Sequence, residues 1–349
     1  MQTAFRWFGA ADPVPLAWLG QMTPRPRVVT HLGDVLPGED WTRTALRALR
    51  DELDRHELEI GPFESLFWSD AMKTGGIERD QHIENYNKTL ANLRAVFPET
   101  DELIVTYNLM PLDWSRTELA FVHSNGARGL AFDQAALEAM DLSQGLFLPG
   151  WGKGYSRSEF EALHGVYAGL GEEGLWANIK YVLDAVVPVA EQHGIRLAAH
   201  PNDPPWATFG LPAVLCGAVG LRRLRLLHPS RANGLCFCVG SLGSDPANDV
   251  IALLREFSDD IAWAHLRAVK TTGEKRFHEV DHADPDANVD LLAVVRTLRE
   301  VGFDGAFRSD HGLDIFYETE LGMRGYPAID RYAANKMLWA YARALVFQG

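Results

Sequence analysis

The part of the sequence that decides the fold contains IRLAAH at 195–200, LCFCV at 235–239 and IAWAHL at 261–266. Each run is short and mostly apolar, as strands buried on both faces are. Each also carries a histidine or a cysteine at or next to its carboxyl end. Longer stretches separate such runs along the chain, and in several of them apolar residues recur at a spacing near 3.6, which predicts helices. The pattern indicates consecutive β-strand and α-helix units.

The same alternation extends over the whole chain. Further strands are predicted at 4–8, 27–31, 58–65, 103–108 and 305–310. Helices are predicted at 41–56, 178–193 and 289–301, the second bent near Pro188 because proline removes a backbone donor. Eight such units in 349 residues predict an α/β protein, a single-domain (β/α)8 TIM barrel over 1–349. An open doubly wound sheet is the alternative.

The composition narrows the classes of function. The chain has 33 Lys and Arg against 47 Asp and Glu, a formal net charge of −14, so neither nucleic acid nor an anionic membrane surface is an expected partner. No stretch stays apolar for the length of a membrane span. Three cysteines are too few for a disulfide framework in a chain of this length, so we expect free thiols and a cytoplasmic protein.

Polar side chains occupy the predicted carboxyl ends of the strands, where a barrel places its chemistry. They are Trp7, His31, Glu64, Asn108, His200, Cys238, His265 with Arg267, and Asp310 with His311. Asn and Asp are ordinary turn formers at strand ends, but four histidines and a cysteine are not. We therefore expect the active site at this face.

The last four strands supply one set of candidate metal ligands, namely His200, Cys238, His265 and Asp310. Nitrogen, sulfur and oxygen donors from four converging strands suit a divalent transition metal. Taken singly, each histidine could be a hydrogen-bonded cap and Cys238 a small buried hydrophobe. Four such coincidences at equivalent positions are harder to accept, so the sequence favours a metal site.

A metal with open coordination positions can hold a substrate carboxylate and the adjacent hydroxyl, which favours removal of the proton α to the carboxylate. His311 directly follows Asp310 and could carry that proton, or it could orient a ligand. Both side chains reach the site only if the strand ends there and the chain turns. Tyr326, in the loop after the last strand, reads as a surface residue from spacing alone.

A glycine- and aromatic-rich stretch, GLFLPGWGKGY at 145–155, lies in the middle of the chain. It predicts a mobile flap over the site near 144–156, with a packed surface loop as the alternative. No glycine-rich phosphate loop follows the predicted seventh or eighth strand, so sugar phosphates are not expected substrates.

Several motifs together resemble those of the mannonate dehydratase family, metal-dependent barrels of the xylose isomerase-like superfamily. They are RWFG at 6–9, YNLMP at 107–111, DWSRT at 113–117, HPNDPP at 200–205, CVGS at 238–241, HLR at 265–267, FHE at 277–279 and DHG at 310–312. They fall in the family's order and cover the chain nearly from end to end. Asn202 and Ser309 stand where the family usually has Asp and Pro.

The resemblance implies Mn2+ or Fe2+ bound by the four candidate ligands, and His311 and Tyr326 as acid and base. It implies conversion of D-mannonate to 2-keto-3-deoxy-D-gluconate by a homodimer. The residues we assign to substrate binding are Trp7, Asn108, Asn202 and Arg267. A sugar isomerase or epimerase, or a dehydratase of another aldonate, would use the same barrel and ligands. A non-catalytic sugar-binding barrel would hold no metal.

Overall fold

The computed structural model describes residues 1–10, 12, 14–149 and 154–314. Its strands are β1 (Gln2–Arg6), β2 (Arg27–Thr30), β3 (Ile60–Glu64), β4 (Leu103–Asn108), β5 (Glu118–Val122), β6 (Arg128–Asp133), β7 (Ile195–His200), β8 (Asn233–Cys238), β9 (Ile261–His265), β10 (Val269–Gly273), β11 (Arg276–Glu279) and β12 (Ala306–Arg308). Its α-helices are α1 (Leu16–Gly20), α2 (Arg43–Arg55), α3 (Asp70–Thr74), α4 (Arg79–Val96), α5 (Gln134–Glu138), α6 (Arg157–Gln192), α7 (Ala218–Leu227), α8 (Val239–Gly243), α9 (Val250–Glu256) and α10 (Leu291–Glu300).

Eight strands form a closed barrel in the order β1-β12-β9-β8-β7-β4-β3-β2. The first and last strands close it in parallel, with Gln2 opposite Ala306. This confirms the predicted (β/α)8 barrel and rules out the open doubly wound sheet. The predicted bounds of β4 and β7 coincide with the structure, and the other six strands differ by one or two residues at their ends.

Small residues fill much of the barrel interior. The cluster comprises Ala4, Val29, Ile104, Ala198, Cys236, Ala262, Trp263 and Ala306, each at most 8% exposed. Cys236 packs in this cluster, and burial raises the pKa of its thiol well above the usual value. It is therefore an inert part of the core.

The outer helices bury the faces that their apolar spacing predicts. In α2 the buried residues are Leu46, Leu49 and Leu53, and the Thr42 side chain caps its first turn by accepting from the Ala45 amide. In α10 the apolar residues predicted for one face are buried together. These helices cover the barrel strands and complete the second layer.

The predicted helix at 178–193 is the second part of the much longer α6. The helix breaks at Gly171, whose φ of 64° is readily adopted only by a residue without a side chain, whereas Pro188 lies inside the helix. The sequence did not predict the break at Gly171, which lies before the predicted helix, and Pro188 keeps a helical conformation within it. Within the described residues, no helix is long and apolar enough to cross a membrane.

A second sheet, which the sequence did not predict, lies outside the barrel. Its four strands run antiparallel in the order β10-β11-β6-β5. β5 and β6 belong to the connection after β4, and β10 and β11 to the connection after β9. The rings of Phe132 and Phe277, opposite each other in the ladder, stack with centroids 5.7 Å apart. We call this element the accessory sheet.

Candidate active site

A cavity of about 910 Å3 opens among the residues at the carboxyl ends of the barrel strands. Its lining includes the strand-end residues His31, Glu64, Asn108, His200, Arg267, Asp310 and His311. Polar side chains that are far apart in the sequence therefore converge on one space, as expected of a barrel.

Three candidate metal ligands lie close together at the carboxyl ends of β7, β8 and β9. His200, Cys238 and His265 offer ligand atoms that are all within 4.8 Å of one another. Asp310 adjoins them, with Oδ2 3.6 Å from Cys238 Sγ and Oδ1 3.5 Å from His265 Nδ1. Glu64 joins His265 and Asp310 in a second group of the same kind. The structure thus brings together the four residues that the sequence singled out and adds one carboxylate.

The chemistry of these side chains fits a divalent transition metal. His265 is fully buried, and among the described residues neither of its ring nitrogens has a hydrogen-bond partner. Leaving a buried polar atom unsatisfied costs roughly 1–3 kcal/mol, which ligation would offset. Cys238 Sγ accepts a hydrogen bond from Ser241 Oγ at 3.0 Å, which suits a thiolate. Nitrogen, sulfur and oxygen donors are a combination that Zn2+, Fe2+ and related ions accept.

Glu64 is held as a carboxylate beside His265. Arg308 donates to both of its oxygens, each at 3.0 Å, and His265 Nε2 lies 3.3 Å from Oε1. Burial alone would raise the pKa of Glu64, but the neighbouring positive charges, Arg308 above all, outweigh it and lower the pKa to about 2. A carboxylate beside the second nitrogen of a ligating histidine is a common way of orienting the ring.

The turn after β12 places two consecutive side chains in the cavity. β12 ends at Arg308, and Asp310 adopts a left-handed conformation with φ of 62°. Both Asp310 and His311 line the cavity, and both are at most 3% exposed. The chain therefore turns where the sequence required it to turn.

On the neighbouring side of the barrel, Arg6 and His31 form the part of the cavity wall contributed by the first two strands. Arg6 Nη2 donates to His31 Nδ1 at 2.6 Å. Burial, reinforced by the charge of Arg6, lowers the pKa of His31 to about 3, so its ring is neutral near pH 7. With Nδ1 accepting, the proton is on Nε2, and this side of the cavity offers a neutral N–H donor.

A buried cluster of charges that the sequence did not predict stands behind His311. Arg116 donates to both oxygens of Asp203, each at 3.1 Å, and to Glu279 Oε1 at 3.1 Å. Arg267 Nη1 lies 2.9 Å from Asp203 Oδ2, and Glu279 Oε1 lies 2.8 Å from His311 Nδ1. Glu279 and Arg116 belong to the motifs FHE at 277–279 and DWSRT at 113–117, but nothing in the local sequence shows that these two segments meet.

The residues assigned to substrate binding separate into two groups. Asn108 and Arg267 line the cavity. Trp7 and Asn202 are absent from the described lining: Trp7 packs in the main core, and Asn202 Oδ1 accepts from the backbone amides of Val214 and Leu215 at 3.2 and 2.8 Å. Their side chains serve the fold at these positions.

The remaining predictions fall partly outside the described residues. Tyr326 lies outside them, as do residues 150–153 of the predicted flap. On either side of that gap, Leu146 and Tyr155 pair as an antiparallel bridge. Gly154 and Tyr155 line the cavity, so the described end of this stretch does border the site.

The closed eight-stranded barrel with its outer helices is a TIM barrel of the xylose isomerase-like fold. A xylose isomerase domain protein from Planctomyces limnophilus shares it, with a TM-score of 0.54 at 13% identity over 100% of this chain and 98% of that chain. At that identity the likeness concerns the fold alone.

The chain belongs to the D-mannonate dehydratase family, since the family model D-mannonate dehydratase (UxuA) matches residues 1–346. It is 38% identical to mannonate dehydratases of Streptococcus agalactiae and Oceanobacillus iheyensis, over 95% of this chain and 94% of each relative. The crystal structure of mannonate dehydratase from Streptococcus suis serotype 2 superposes with a TM-score of 0.88 at 32% identity, covering 99% of this chain and 93% of that one. The resemblance inferred from the motifs is confirmed, and with it the class of enzyme, a hydro-lyase.

Proposed function

We propose that this chain removes water from D-mannonate and yields 2-keto-3-deoxy-D-gluconate in the cavity at the carboxyl end of the barrel. The observation that carries the proposal is the convergence of His200, Cys238, His265 and Asp310 beside His311, in a chain of the D-mannonate dehydratase family. The reaction breaks the C2–H and C3–O bonds. The electron pair of C2–H becomes the C2=C3 bond, the hydroxyl leaves with a proton as water, and the enol then tautomerises to the 2-keto acid.

We assign one Mn2+ or Fe2+ to these four ligands. Such an ion, when bound, supplies positive charge beside the substrate carboxylate and its neighbouring hydroxyl, which makes the C2 proton easier to remove. The support is the donor set and the buried ring of His265, which has no hydrogen-bond partner among the described residues. Glu64 Oε1, 3.3 Å from Nε2, is the carboxylate placed to accept from this nitrogen and orient the ring once the metal is bound.

His311 and Tyr326 are the proposed acid and base. His311 lines the cavity next to Asp310, within reach of a substrate held there. Tyr326 is assigned on the resemblance of its Gly-Tyr-Pro sequence to the family. Asn108 and Arg267, which border the same space, are the proposed substrate contacts from the described part of the chain.

The proposal also covers the compartment, the oligomeric state and the partners of the enzyme. All three cysteines are free thiols, which is consistent with a reducing compartment such as the cytoplasm. We propose a homodimer that takes part in the breakdown of hexuronates and binds a sugar acid, with neither nucleic acid nor membrane as a partner. The net charge of −14 supports the last two exclusions.

A panel of aldonates tests this function against its alternatives. Purified protein, reconstituted with Mn2+ or Fe2+, is incubated with D-mannonate and with its C2 and C3 epimers, and 2-keto-3-deoxy acids are measured. We expect kcat/KM to be highest for D-mannonate. An isomeric sugar acid formed without loss of water would instead identify an isomerase or epimerase, and a faster reaction with another aldonate would reassign the substrate.

A further inference from the structure

The accessory sheet places the carboxylate of Glu279 next to His311. Glu279 ends β11, opposite Val269 of β10, and its residue is 1% exposed. Its Oε1 lies 2.8 Å from His311 Nδ1 and accepts from Arg116 Nη2 at 3.1 Å. Arg116 itself precedes β5 of the same sheet. Two connections of the barrel are therefore folded together in a way that fixes a carboxylate behind the proposed proton carrier.

Two groups compete for Nδ1 of His311. Glu279 Oε1 at 2.8 Å is an acceptor, whereas Arg267 Nη1 at 3.2 Å can only donate. Nδ1 cannot satisfy both at once, because it either carries a proton or offers a lone pair. The contact that prevails sets the tautomer of the neutral ring.

The distances favour Glu279. Arg267 Nη1 already has carboxylate acceptors at 2.9 Å in Asp203 and at 3.2 Å in Asp310. Glu279 Oε1 is a shorter contact of Nδ1 than Arg267 Nη1 is, and Arg116 beside it favours the ionised carboxylate. Nδ1 therefore carries the proton and donates it to Glu279, which leaves Nε2 as the accepting nitrogen of the ring.

Trp114 also packs against the ring of His311. The two rings contact edge to face, with centroids 6.0 Å apart and planes at 67°. Nε2 lies 3.7 Å from Asp310 Oδ1, next to the proposed metal ligands. The accepting nitrogen is therefore on the side of the ring nearest the proposed metal site, where we place C2 of the substrate.

We propose that Glu279 is a positioning residue of the reaction: it holds Nδ1–H of His311, fixes the tautomer and keeps Nε2 ready to take the C2 proton of the substrate. This rests on the proposed function, in which His311 handles that proton. The accessory sheet would then position a residue of the reaction, since Glu279 lies in β11 and Arg116 lies just before β5.

Four variants test the proposal: Glu279→Gln, Glu279→Asp, His311→Asn and the double variant of Glu279→Gln with His311→Asn. For each, kcat and KM for D-mannonate, metal content and Tm are measured. In Glu279→Gln the carbonyl oxygen can keep the position between Arg116 and His311, so Nδ1–H retains an acceptor but loses the carboxylate charge that stabilises the ring once it has taken a proton. We expect kcat to fall on the order of 10²-fold, with KM and metal content nearly unchanged. Glu279→Asp keeps the charge on a shorter side chain, so its kcat should lie between those of Gln and wild type.

The double variant separates positioning from general damage. If Glu279 acts through His311, adding Glu279→Gln to His311→Asn should lower kcat by no more than about twofold. Arg276→Gln is the control on the same strand, since Arg276 is exposed and pairs with Asp133 away from the cavity. It should leave kcat unchanged, which would show that disturbing β11 is not sufficient.

The outcomes distinguish this inference from the proposed function. If His311→Asn keeps near-normal kcat, the proposed function of His311 is wrong, and the role of Glu279 is lost with it. If His311→Asn is impaired but Glu279→Gln is not, or if the two losses multiply in full, the role of Glu279 is overturned and that of His311 stands. If Glu279→Gln does not fold, Glu279→Asp decides: a kcat at least about tenfold below wild type supports the role, and a wild-type kcat overturns it.

Discussion

Asp310 and His311 are consecutive in the chain, and both side chains line the same cavity because Asp310 has a φ of 62°. In a continuing strand they would point to opposite sides. Left-handed backbone is rare for residues other than glycine, and Asp and Asn tolerate it best through their short polar side chains. The left-handed conformation of Asp310 therefore costs about 1–3 kcal/mol of conformational free energy. It occurs where the proposed metal ligand and the proposed proton carrier must both face the cavity.

Asp310→Asn tests the ligand role without disturbing this turn. Asn accepts the left-handed conformation as well as Asp does, so the backbone should be retained while the charged ligand is lost. We expect metal affinity and kcat to fall together, measured by metal titration and turnover. His311→Asn should keep the metal and lose kcat by a factor on the order of 10² or more. If both variants shed the metal equally, His311 supports the ligands and does not carry the proton.

Cys238→Ser has a matched control in Cys236→Ser, two residues earlier on the same strand, β8. A neutral hydroxyl in place of a thiolate should weaken metal binding and leave the purified protein with a lower metal content. Cys236→Ser changes the same atom in the barrel core, and should lower the free energy of unfolding by about 1–3 kcal/mol while metal content stays normal. Equal metal contents in wild type and Cys238→Ser would remove Cys238 from the ligand set.

Glu64→Gln should affect both metal and stability. It takes the charge from the carboxylate beside His265 Nε2, so we expect metal affinity to fall about 10- to 100-fold. It also weakens one partner of the fully buried Arg308, which keeps its ion pair with Asp310 at 3.1 Å, so we expect the free energy of unfolding to fall by about 1–3 kcal/mol. Metal titration and denaturant unfolding measure the two effects. Glu256→Gln, which breaks the exposed pair with Arg222, should change neither. Unchanged metal affinity in Glu64→Gln would show that Glu64 does not orient His265.

Sugar phosphates should be turned over more slowly than free aldonates. The acidic residues that line the cavity are Glu64, Asp70, Asp113, Glu159, Asp203 and Asp310. Arg267, one of its cations, already pairs with Asp203 and Asp310. A phosphate dianion would meet repulsion from the carboxylates. Competition between D-mannonate and its 6-phosphate measures the preference, and a higher kcat/KM for the phosphate would contradict the expectation.

The barrel could be predicted because the parallel strands are short apolar runs and the outer helices repeat apolar residues at a spacing near 3.6. The sequence located the ligand candidates because the carboxyl ends of parallel strands meet at one face. It could not predict the accessory sheet, in which the local hairpins β5-β6 and β10-β11 are joined by pairing of β6 with β11, two strands far apart in the chain. For the same reason it missed Glu279 and Arg116, whose function depends on side-chain contacts between distant segments.

The break in α6 shows a different limit. Pro188 and Gly171 are both helix breakers by composition, and the local pattern does not say which of them the tertiary structure uses. The placements of Trp7 and Asn202 are similar, since a strand-end position alone does not tell a cavity-lining side chain from one engaged with the backbone or the core.

The central claim is that this chain dehydrates D-mannonate with a metal held by His200, Cys238, His265 and Asp310. The most direct measurement is the rate of 2-keto-3-deoxy-D-gluconate formation from D-mannonate by purified protein before chelation, after chelation, and after Mn2+ or Fe2+ is restored. We predict product formation that is lost on chelation and recovered with about one ion per chain. Undiminished turnover by the metal-free protein, or no 2-keto-3-deoxy product from the reconstituted one, would contradict the account.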